Sequence, residues 1–176
     1  MKMLTYILRL TVTLLIIAAV MAAALAGVNA ITKDKIAEIK IQKTQAAITK
    51  VLPGAAGLEE IPLNENAGIV KKVYASGDSY AVEVIPSGFN GAITMMVGIE
   101  KGKVTGISIV SHTETPGLGA VAAADNAKGE AFRGQFAGGE SFTVGGNVDA
   151  MSGATITSKA VASGVNAALE YIKSLG

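Results

Sequence analysis

An uncharged apolar stretch near the amino terminus constrains this chain more than any other feature of its sequence. No Asp, Glu, Lys or Arg occurs from Leu10 to Thr32, and about 20 apolar residues suffice for one transmembrane helix. A cleaved signal peptide is the alternative, because Ala24-Leu25-Ala26 and Val28-Asn29-Ala30 both resemble small-residue cleavage sites. The apolar region of a signal peptide usually spans about 7–15 residues, and this one is longer. We therefore predict a retained anchor over residues 1–32, with its transmembrane helix at about residues 10–30.

The flanking residues do not fix the orientation of this helix. Lys2 and Arg9 precede it, whereas several lysines mixed with Asp34 and Glu38 follow it, so the count of basic residues favours neither side. The net charge of +1 gives no electrostatic case for nucleic-acid binding. The absence of cysteine and the single histidine exclude disulfides, iron–sulfur ligation, thiolate metal sites and multi-histidine metal sites. If this protein transfers electrons, it therefore uses a bound organic cofactor.

Beyond the anchor, the sequence predicts an α+β domain with an antiparallel sheet and flanking helices. A juxtamembrane helix is expected from Lys33 to Leu52, and Pro53-Gly54 ends it. Residues 54–67 are rich in loop residues. Four strands should form a meander with one buried face, and the dipeptide Gly77-Asp78 predicts a hairpin turn. The predicted strands are residues 70–75, 79–85, 92–99 and 104–110.

The rest of the domain is predicted to be mainly helical. The expected elements are one or two short helices in residues 120–136, a short strand at 141–144, a turn at 145–147 and a helix at about 156–175. The apolar stripe of that last helix comprises Ile156, Ala160, Val161, Val165, Ala168, Leu169 and Ile172. We therefore divide the chain into the anchor, a juxtamembrane helix over residues 33–53 and a domain over residues 54–176.

A polar loop follows the fourth predicted strand, with the sequence Ser111-His-Thr-Glu-Thr-Pro-Gly-Leu-Gly119. Its Pro116-Gly117 pair predicts a turn, and the final glycine allows a close backbone approach. A dinucleotide-binding fingerprint is rejected, because Ala122 stands where a third glycine is required and the strands are antiparallel. The loop is therefore either a structural turn or a site. In a site, His112 and Glu114 could act as acid and base or hydrogen-bond the edge of a flat heteroaromatic ring.

A cluster of hydroxyl residues precedes the last predicted helix, within Asp149-Ala-Met-Ser-Gly-Ala-Thr-Ile-Thr-Ser158. A helix N-terminus offers unpaired N–H groups and a partial positive charge, so it suits a phosphate. The hydroxyls that could donate to phosphate oxygens are those of Ser152, Thr155, Thr157 and Ser158. In the simpler alternative, Thr155 or Thr157 is only a helix N-cap. The spacing is not that of a P-loop, and a threonine hydroxyl at such a site could also form a phosphate ester.

Together the two stretches resemble the signatures of a known family, the FMN-binding domains. Asp149-Ala-Met-Ser-Gly-Ala-Thr155 is similar to the flavinylation motif Dxx(S/T)GAT, and the loop from His112 to Gly119 resembles the second signature of that family. The order of the motifs and the single N-terminal membrane helix resemble the G subunits of Rnf complexes. The related C subunits of Na⁺-translocating NADH:quinone reductases are usually longer.

The resemblance implies a bacterial or archaeal membrane protein that carries electrons. FMN would be joined by a phosphoester to Thr155, and a dedicated flavin transferase would make this bond from FAD outside the cytoplasm. The residues that the transferase would read are Asp149, Ser152, Gly153 and Ala154. The residues that would line or hold the FMN are Glu114, Thr115, Pro116, Gly117, Leu118, Gly119, Ser152, Gly153, Ala154, Thr157 and Ser158.

The implied role is a relay within a larger complex. The FMN would pass electrons between other subunits, both integral-membrane and iron–sulfur ones, on the path from reduced ferredoxin to NAD⁺, with export of Na⁺ or H⁺. The domain would lie on the extracytoplasmic side of the cytoplasmic membrane. No catalytic acid–base residue and no metal ligand is then required, since the redox chemistry belongs to the cofactor.

Two other classes of function remain open from the residues alone. A pilin-like structural protein would also join an apolar N-terminal helix to a β-rich head, although it would need no hydroxyl cluster. A binding module could hold a phosphorylated small molecule without a covalent bond. A redox carrier of this kind contains bound flavin, whereas a pilin-like protein does not. A covalent flavin stays on the chain after denaturation, whereas a ligand held by a non-covalent binding module is lost.

Overall fold

The computed structural model of the chain describes residues 2–55, 57–64 and 67–175. Two compact units are present, Met1–Gln42 and Lys43–Gly176. The first helix, α1, spans Lys2–Val51 and therefore contributes to both units. Its last turns belong to the second unit, which thus begins before residue 54, the predicted start of the domain.

The first unit contains a helix suited to crossing a membrane. Within α1, the stretch Met3–Val51 includes an 18-residue window with a mean hydropathy of 2.4. Among the described residues, it is the one helix that is long and apolar enough to span a membrane. The described side chains of this unit are exposed, as expected of a segment whose partner is lipid.

The second unit is built on a five-stranded antiparallel sheet whose strands lie side by side in chain order. The strands are β1 (Glu59–Ile61), β2 (Val70–Ser76), β3 (Ser79–Val84), β4 (Thr94–Glu100) and β5 (Lys103–Ser111). Strands β2 to β5 confirm the predicted meander. The register places Val82 of β3 opposite Val73 of β2 and opposite Val97 of β4. The helices that follow are a 3₁₀ helix (Gly119–Ala123), α2 (Ala127–Gly134) and α3 (Thr155–Lys173).

The sheet is covered on both faces, so the prediction of one buried face was wrong. Four consecutive residues of β3 are buried, which alternation with one solvated face does not allow. Helix α3 covers one face, where Val161 and Val165 join the core that contains Val82. The end of α1 covers the other face, where Val51 packs with Met96. Each fully buried side chain of this size stabilises the fold by about 1.5–3 kcal/mol.

The end of α1 approaches the sheet closely at Gly98. A Cβ atom at this position would collide with Thr105 Oγ1 and would lie 2.6 Å from the carbonyl oxygen of Val51. The Thr105 hydroxyl donates a hydrogen bond of 2.5 Å to that carbonyl oxygen. It thereby satisfies one of the carbonyl groups that a helix leaves unpaired at its C-terminus.

The segment at 141–144 is not a strand, contrary to the prediction. Asn166 of α3 binds its backbone instead, because the Asn166 side chain accepts from Phe142 N at 2.9 Å and donates to Phe142 O at 2.8 Å. The Phe142 ring packs 5.0 Å from the ring of Phe136 in the main core. The predicted apolar stripe of α3 is also wrong at Ile156, which is 55% exposed.

Candidate functional site

The loop after β5 is a compact turn. The backbone N–H of Glu114 donates to His112 Nδ1 at 3.2 Å. The carbonyl oxygen of Thr115 accepts from the N–H groups of Leu118 and Ala120, each at 3.2 Å. Gly117 has a φ of +78°, a conformation that side chains other than glycine adopt at a cost. The expected turn is therefore confirmed.

The carboxylate of Glu114 joins this loop to two other elements. It is 5% exposed, and its Oε1 atom accepts from the backbone N–H of Asn90 at 3.0 Å. Its Oε2 atom accepts from the hydroxyl of Thr157 on α3 at 2.6 Å. A buried carboxylate needs such donors, so Glu114 is a fixed link between the β3–β4 connection, its own loop and α3.

Glycines make room for this link. A Cβ atom on Gly88 would collide with Glu114 Oε1, and one on Gly119 would collide with Glu114 Oε2. Asn90 strengthens the link through two hydrogen bonds to Thr113. The Asn90 side-chain amide donates to the backbone oxygen of Thr113 at 2.7 Å, and the Asn90 backbone oxygen accepts from Thr113 Oγ1 at 2.6 Å. Sequence reasoning missed Asn90, although the Asn90-Gly91 pair is a turn signal.

The start of α3 has no side-chain cap. The cap position is Ala154, which has no side-chain hydrogen bond to the helix, so the alternative in which Thr155 or Thr157 is only an N-cap does not hold. Gly153 precedes it with a φ of +72°. Ser158 fixes the segment that precedes the helix, because its hydroxyl accepts a hydrogen bond from Met151 N at 3.0 Å and donates one to Ala154 O at 2.9 Å.

The structure separates the hydroxyls that the sequence placed together. Thr157 and Ser158 are 1% and 0% exposed, and both already donate their hydroxyl hydrogens to acceptors of the protein. Thr155 is exposed in the first turn of α3, and no hydrogen bond of its hydroxyl occurs within the described residues. The uncapped N–H groups of this turn carry a partial positive charge. Thr155 is thus the exposed threonine of this turn, and Ser152, which precedes the helix, is exposed as well.

A groove of about 770 Å³ brings the two signatures together. Its walls come from the loop after β5, from α2 and from the segment before α3. The lining residues are Gly117, Leu118, Val121, Lys128, Ala131, Phe132, Gln135, Asp149, Ala150, Met151 and Ser152. A Cβ atom on Gly153 would lie 3.0 Å from Leu118 Cδ2, so the two signatures also touch directly. The predicted site residues that do not line this groove are Glu114, Thr115, Pro116, Gly119, Gly153, Ala154, Thr155, Thr157 and Ser158.

Comparison with known proteins decides the family. Residues 88–170 match a family described as FMN-binding domain, and residues 1–51 match one described as RnfG N-terminal region. The G subunit of a Na⁺-translocating ferredoxin:NAD⁺ oxidoreductase complex from Acetobacterium woodii is 34% identical over 95% of this chain and 92% of its own length. The chain belongs to the family of Rnf complex G subunits.

Further relatives are G subunits as well. The one from an ion-translocating oxidoreductase complex of Methanosarcina acetivorans is 33% identical over 93% of this chain and 93% of its own length. The one from a proton-translocating ferredoxin:NAD⁺ oxidoreductase complex of Clostridium ljungdahlii is 46% identical over 53% of both chains. Membership in this family confirms the resemblance and argues against a pilin-like protein.

The FMN-binding match spans both signatures, and the groove fits a flavin. Its volume lies within the range of about 300–1,000 Å³ that is usual for small-molecule sites. Leu118, Phe132 and Met151 offer apolar surface to a flat ring system, whereas Lys128 and Gln135 offer polar groups to its edge. The N-terminus of α3 offers donors to a phosphate.

Helix α2 supplies groove residues that sequence reasoning missed. Gln135, which follows α2, pairs with the backbone of Asp149, since its amide donates to Asp149 O at 3.3 Å and accepts from Asp149 N at 2.7 Å. Asp149, the first residue of the stretch that resembles the flavinylation motif, is therefore held in place by its backbone. The residue itself is exposed. Nothing in the local sequence pairs Gln135 with a residue this far along the chain.

Proposed function

We propose that this chain is the electron-transfer subunit of an ion-translocating ferredoxin:NAD⁺ oxidoreductase complex and carries FMN bound by a phosphoester to Thr155. The single observation that carries the attachment site is the contrast along the first turn of α3. Thr155 is exposed, whereas Thr157 is buried and bonded to Glu114. The names of the relatives from Acetobacterium woodii and Clostridium ljungdahlii support the assignment to the complex.

The chain's own residues would receive and hold the cofactor. A bond would form between Thr155 Oγ1 and the phosphorus on the FMN side of FAD, the bond to the AMP phosphate would break, and the hydroxyl proton would leave with the departing group. The free N–H groups of the first turn of α3 would then stabilise the remaining anionic phosphate oxygens. The Glu114–Thr157 hydrogen bond would fix the helix start against the loop after β5.

The groove would hold the ring system. FMN supplies the electron-transfer chemistry when it is bound. Leu118, Phe132 and Met151 would exclude water from one face of the ring, and Gln135 would hydrogen-bond its polar edge. A flavin transferase would recognise Asp149, Ser152, Gly153 and Ala154, of which Asp149 and Ser152 are exposed beside the groove. Other subunits of the complex, integral-membrane and iron–sulfur ones, would supply and accept the electrons.

Fluorescence of the denatured protein in a gel under ultraviolet light tests the attachment. Wild type, Thr155→Ala and Thr157→Val would each be co-expressed with a flavin transferase. We expect fluorescent bands for wild type and Thr157→Val and a dark band for Thr155→Ala. Fluorescence of Thr155→Ala would move the attachment elsewhere. A dark wild-type band, with the transferase active on a control substrate, would refute the covalent link and leave a non-covalent binding module.

We also propose that residues 1–32 remain as the anchor and that the FMN-binding domain, residues 54–176 with the juxtamembrane helix 33–53, lies on the extracytoplasmic side of the cytoplasmic membrane. The chain has no cysteine, so single-cysteine variants report its sidedness cleanly. A membrane-impermeant maleimide should label Lys173→Cys in intact spheroplasts and Met3→Cys only after lysis. The reverse pattern would place the domain in the cytoplasm. The mass of the purified chain reports whether the anchor is retained.

A further inference from the structure

A second groove, of about 280 Å³, lies between the end of α1, β5 and the segment before α2. At about 30 Å³ for each water molecule, it has room for roughly nine of them. It shares no lining residue with the flavin groove. The lining residues are Lys43, Ala46, Ala47, Lys50, Ser108, Ile109, Val110, Ala123, Asp125 and Arg133.

Arg133 is the unusual member of this groove. Its side chain is 8% exposed, and its Nη1 atom donates to the carbonyl oxygens of Ala122 and Ala124 at 2.7 and 2.9 Å. Its Nη2 atom is buried and makes no hydrogen bond, the one such side-chain atom in the described part of the chain. The nearest carboxylate oxygen, Asp125 Oδ1, forms an ion pair with it at 3.5 Å without hydrogen-bond geometry. A buried donor of a charged group without a hydrogen bond is costly, so this guanidinium points to a ligand that pairs with it better.

The positive charge of the groove is only partly compensated. Three cations line it, on Lys43, Lys50 and Arg133, against the single carboxylate of Asp125. One oxygen of this carboxylate lies 2.9 Å from Lys50 Nζ and 3.5 Å from Arg133 Nη2. The pKa of Asp125 is lowered by the hydrogen bond from Lys50 and by the nearby positive charges. The carboxylate oxygen therefore occupies the position at which the groove attracts an anionic oxygen.

Asp125 is a replaceable occupant of that position. Its side chain is 78% exposed, and Lys50 is 52% exposed, and ion pairs between such side chains contribute little to stability. A phosphate group carries more charge than a carboxylate and matches the planar donors of a guanidinium. Ser108 adds a hydroxyl to the lining of the groove.

We propose that this groove binds a phosphate group, which displaces the carboxylate of Asp125 and accepts hydrogen bonds from Arg133 Nη2, Lys50 Nζ and the Ser108 hydroxyl. The phosphate belongs either to a soluble phosphate compound or to the headgroup of an anionic lipid. This binding is separate from the FMN, because the two grooves share no residue.

Calorimetric titration of the full chain with inorganic phosphate, in an uncharged detergent at constant ionic strength, tests the proposal. Wild type should bind saturably, and Lys50→Gln should bind about tenfold more weakly, as expected for the loss of one charge-assisted hydrogen bond. Asp125→Asn should bind about two- to fivefold more tightly, since the competing carboxylate is gone. Lys103→Gln is the matched control, because Lys103 pairs with Glu140 on the surface outside the groove, and its affinity should equal that of wild type.

These variants avoid Arg133 itself, whose loss could prevent folding because it binds two backbone carbonyls. Absence of saturable binding in both wild type and Asp125→Asn would overturn the proposal and leave a groove that holds water. Equal binding by wild type and Lys50→Gln would overturn it as well. Titration with glycerophosphoglycerol, the deacylated headgroup of phosphatidylglycerol, then identifies the source. Binding at least as tight as that of inorganic phosphate assigns the groove to a lipid, and weaker binding assigns it to a soluble phosphate compound.

Discussion

Replacing Thr157 by valine should destabilise the domain although no part of the groove is touched. The Thr157 hydroxyl donates at 2.6 Å to Glu114 Oε2, and the two residues are 1% and 5% exposed, so water cannot readily replace the donor. A hydrogen bond to a charged group contributes about 1.5–3 kcal/mol to stability. We therefore expect a loss of about 2 kcal/mol, or roughly 8 °C in Tm at about 4 °C per kcal/mol.

The measurement is urea unfolding of the full chain in an uncharged detergent, followed by the near-ultraviolet circular dichroism of its tyrosines. Thr155→Val is the matched control, two residues away on the same helix, and its effect should stay within about 0.5 kcal/mol because that side chain is exposed. A double-mutant cycle of Glu114→Gln with Thr157→Val isolates the pair, and a coupling energy of about 1–2 kcal/mol is expected.

Two results would refute this reasoning. A coupling energy below about 0.5 kcal/mol would mean that the two side chains act independently. Equal losses for Thr157→Val and Thr155→Val would mean that burial of the hydroxyl has no consequence. Thr157→Val should also keep its covalent flavin, since the substitution removes a structural contact and leaves the proposed attachment oxygen in place.

Three further predictions rest on single contacts. Gly98→Ala should lower the free energy of unfolding by about 1–3 kcal/mol, because the added methyl group overpacks against the end of α1. In the same urea assay Gly106→Ala should lower it less, because the nearest atom to its Cβ would lie 4.0 Å away. Gly153→Ala should cost about 1–2 kcal/mol, because its φ is +72°, and should lower gel fluorescence relative to Gly134→Ala, which has open space. The pKa of Asp125 lies below its ordinary value of 3.8 because the neighbouring lysine donates a hydrogen bond to it. Its stabilising contribution is therefore present above pH 3.8 and lost as the pH falls through the lower, folded-state pKa. Asp125→Asn should accordingly make the decline of the urea midpoint below pH 3.8 slightly shallower, because an exposed ion pair contributes little to stability, and a steeper decline than in wild type would contradict this.

Local sequence was sufficient to predict the elements whose formation depends on residues adjacent in the chain. The long uncharged stretch, the Gly77-Asp78 turn and the meander from β2 to β5 all follow from periodicity and turn chemistry, and the structure confirms them. The segment at 141–144 shows the limit of such reasoning. Its strand-like pattern was overridden by Asn166, whose side chain, 24 residues away from Phe142, supplies the hydrogen bonds that a neighbouring strand would have supplied.

The sequence by itself determined that a phosphate-compatible helix start follows a cluster of hydroxyls, because glycine, small residues and hydroxyls adjacent in the chain stay adjacent in space. Only the tertiary structure decided which of the two threonines at the start of α3 is exposed. Thr157 is buried and bonded to Glu114, 43 residues earlier in the chain, whereas Thr155 is exposed. The same holds for the groove wall from α2 and for the second covered face of the sheet. Burial and long-range hydrogen bonds depend on how distant segments pack, and no local pattern encodes that packing.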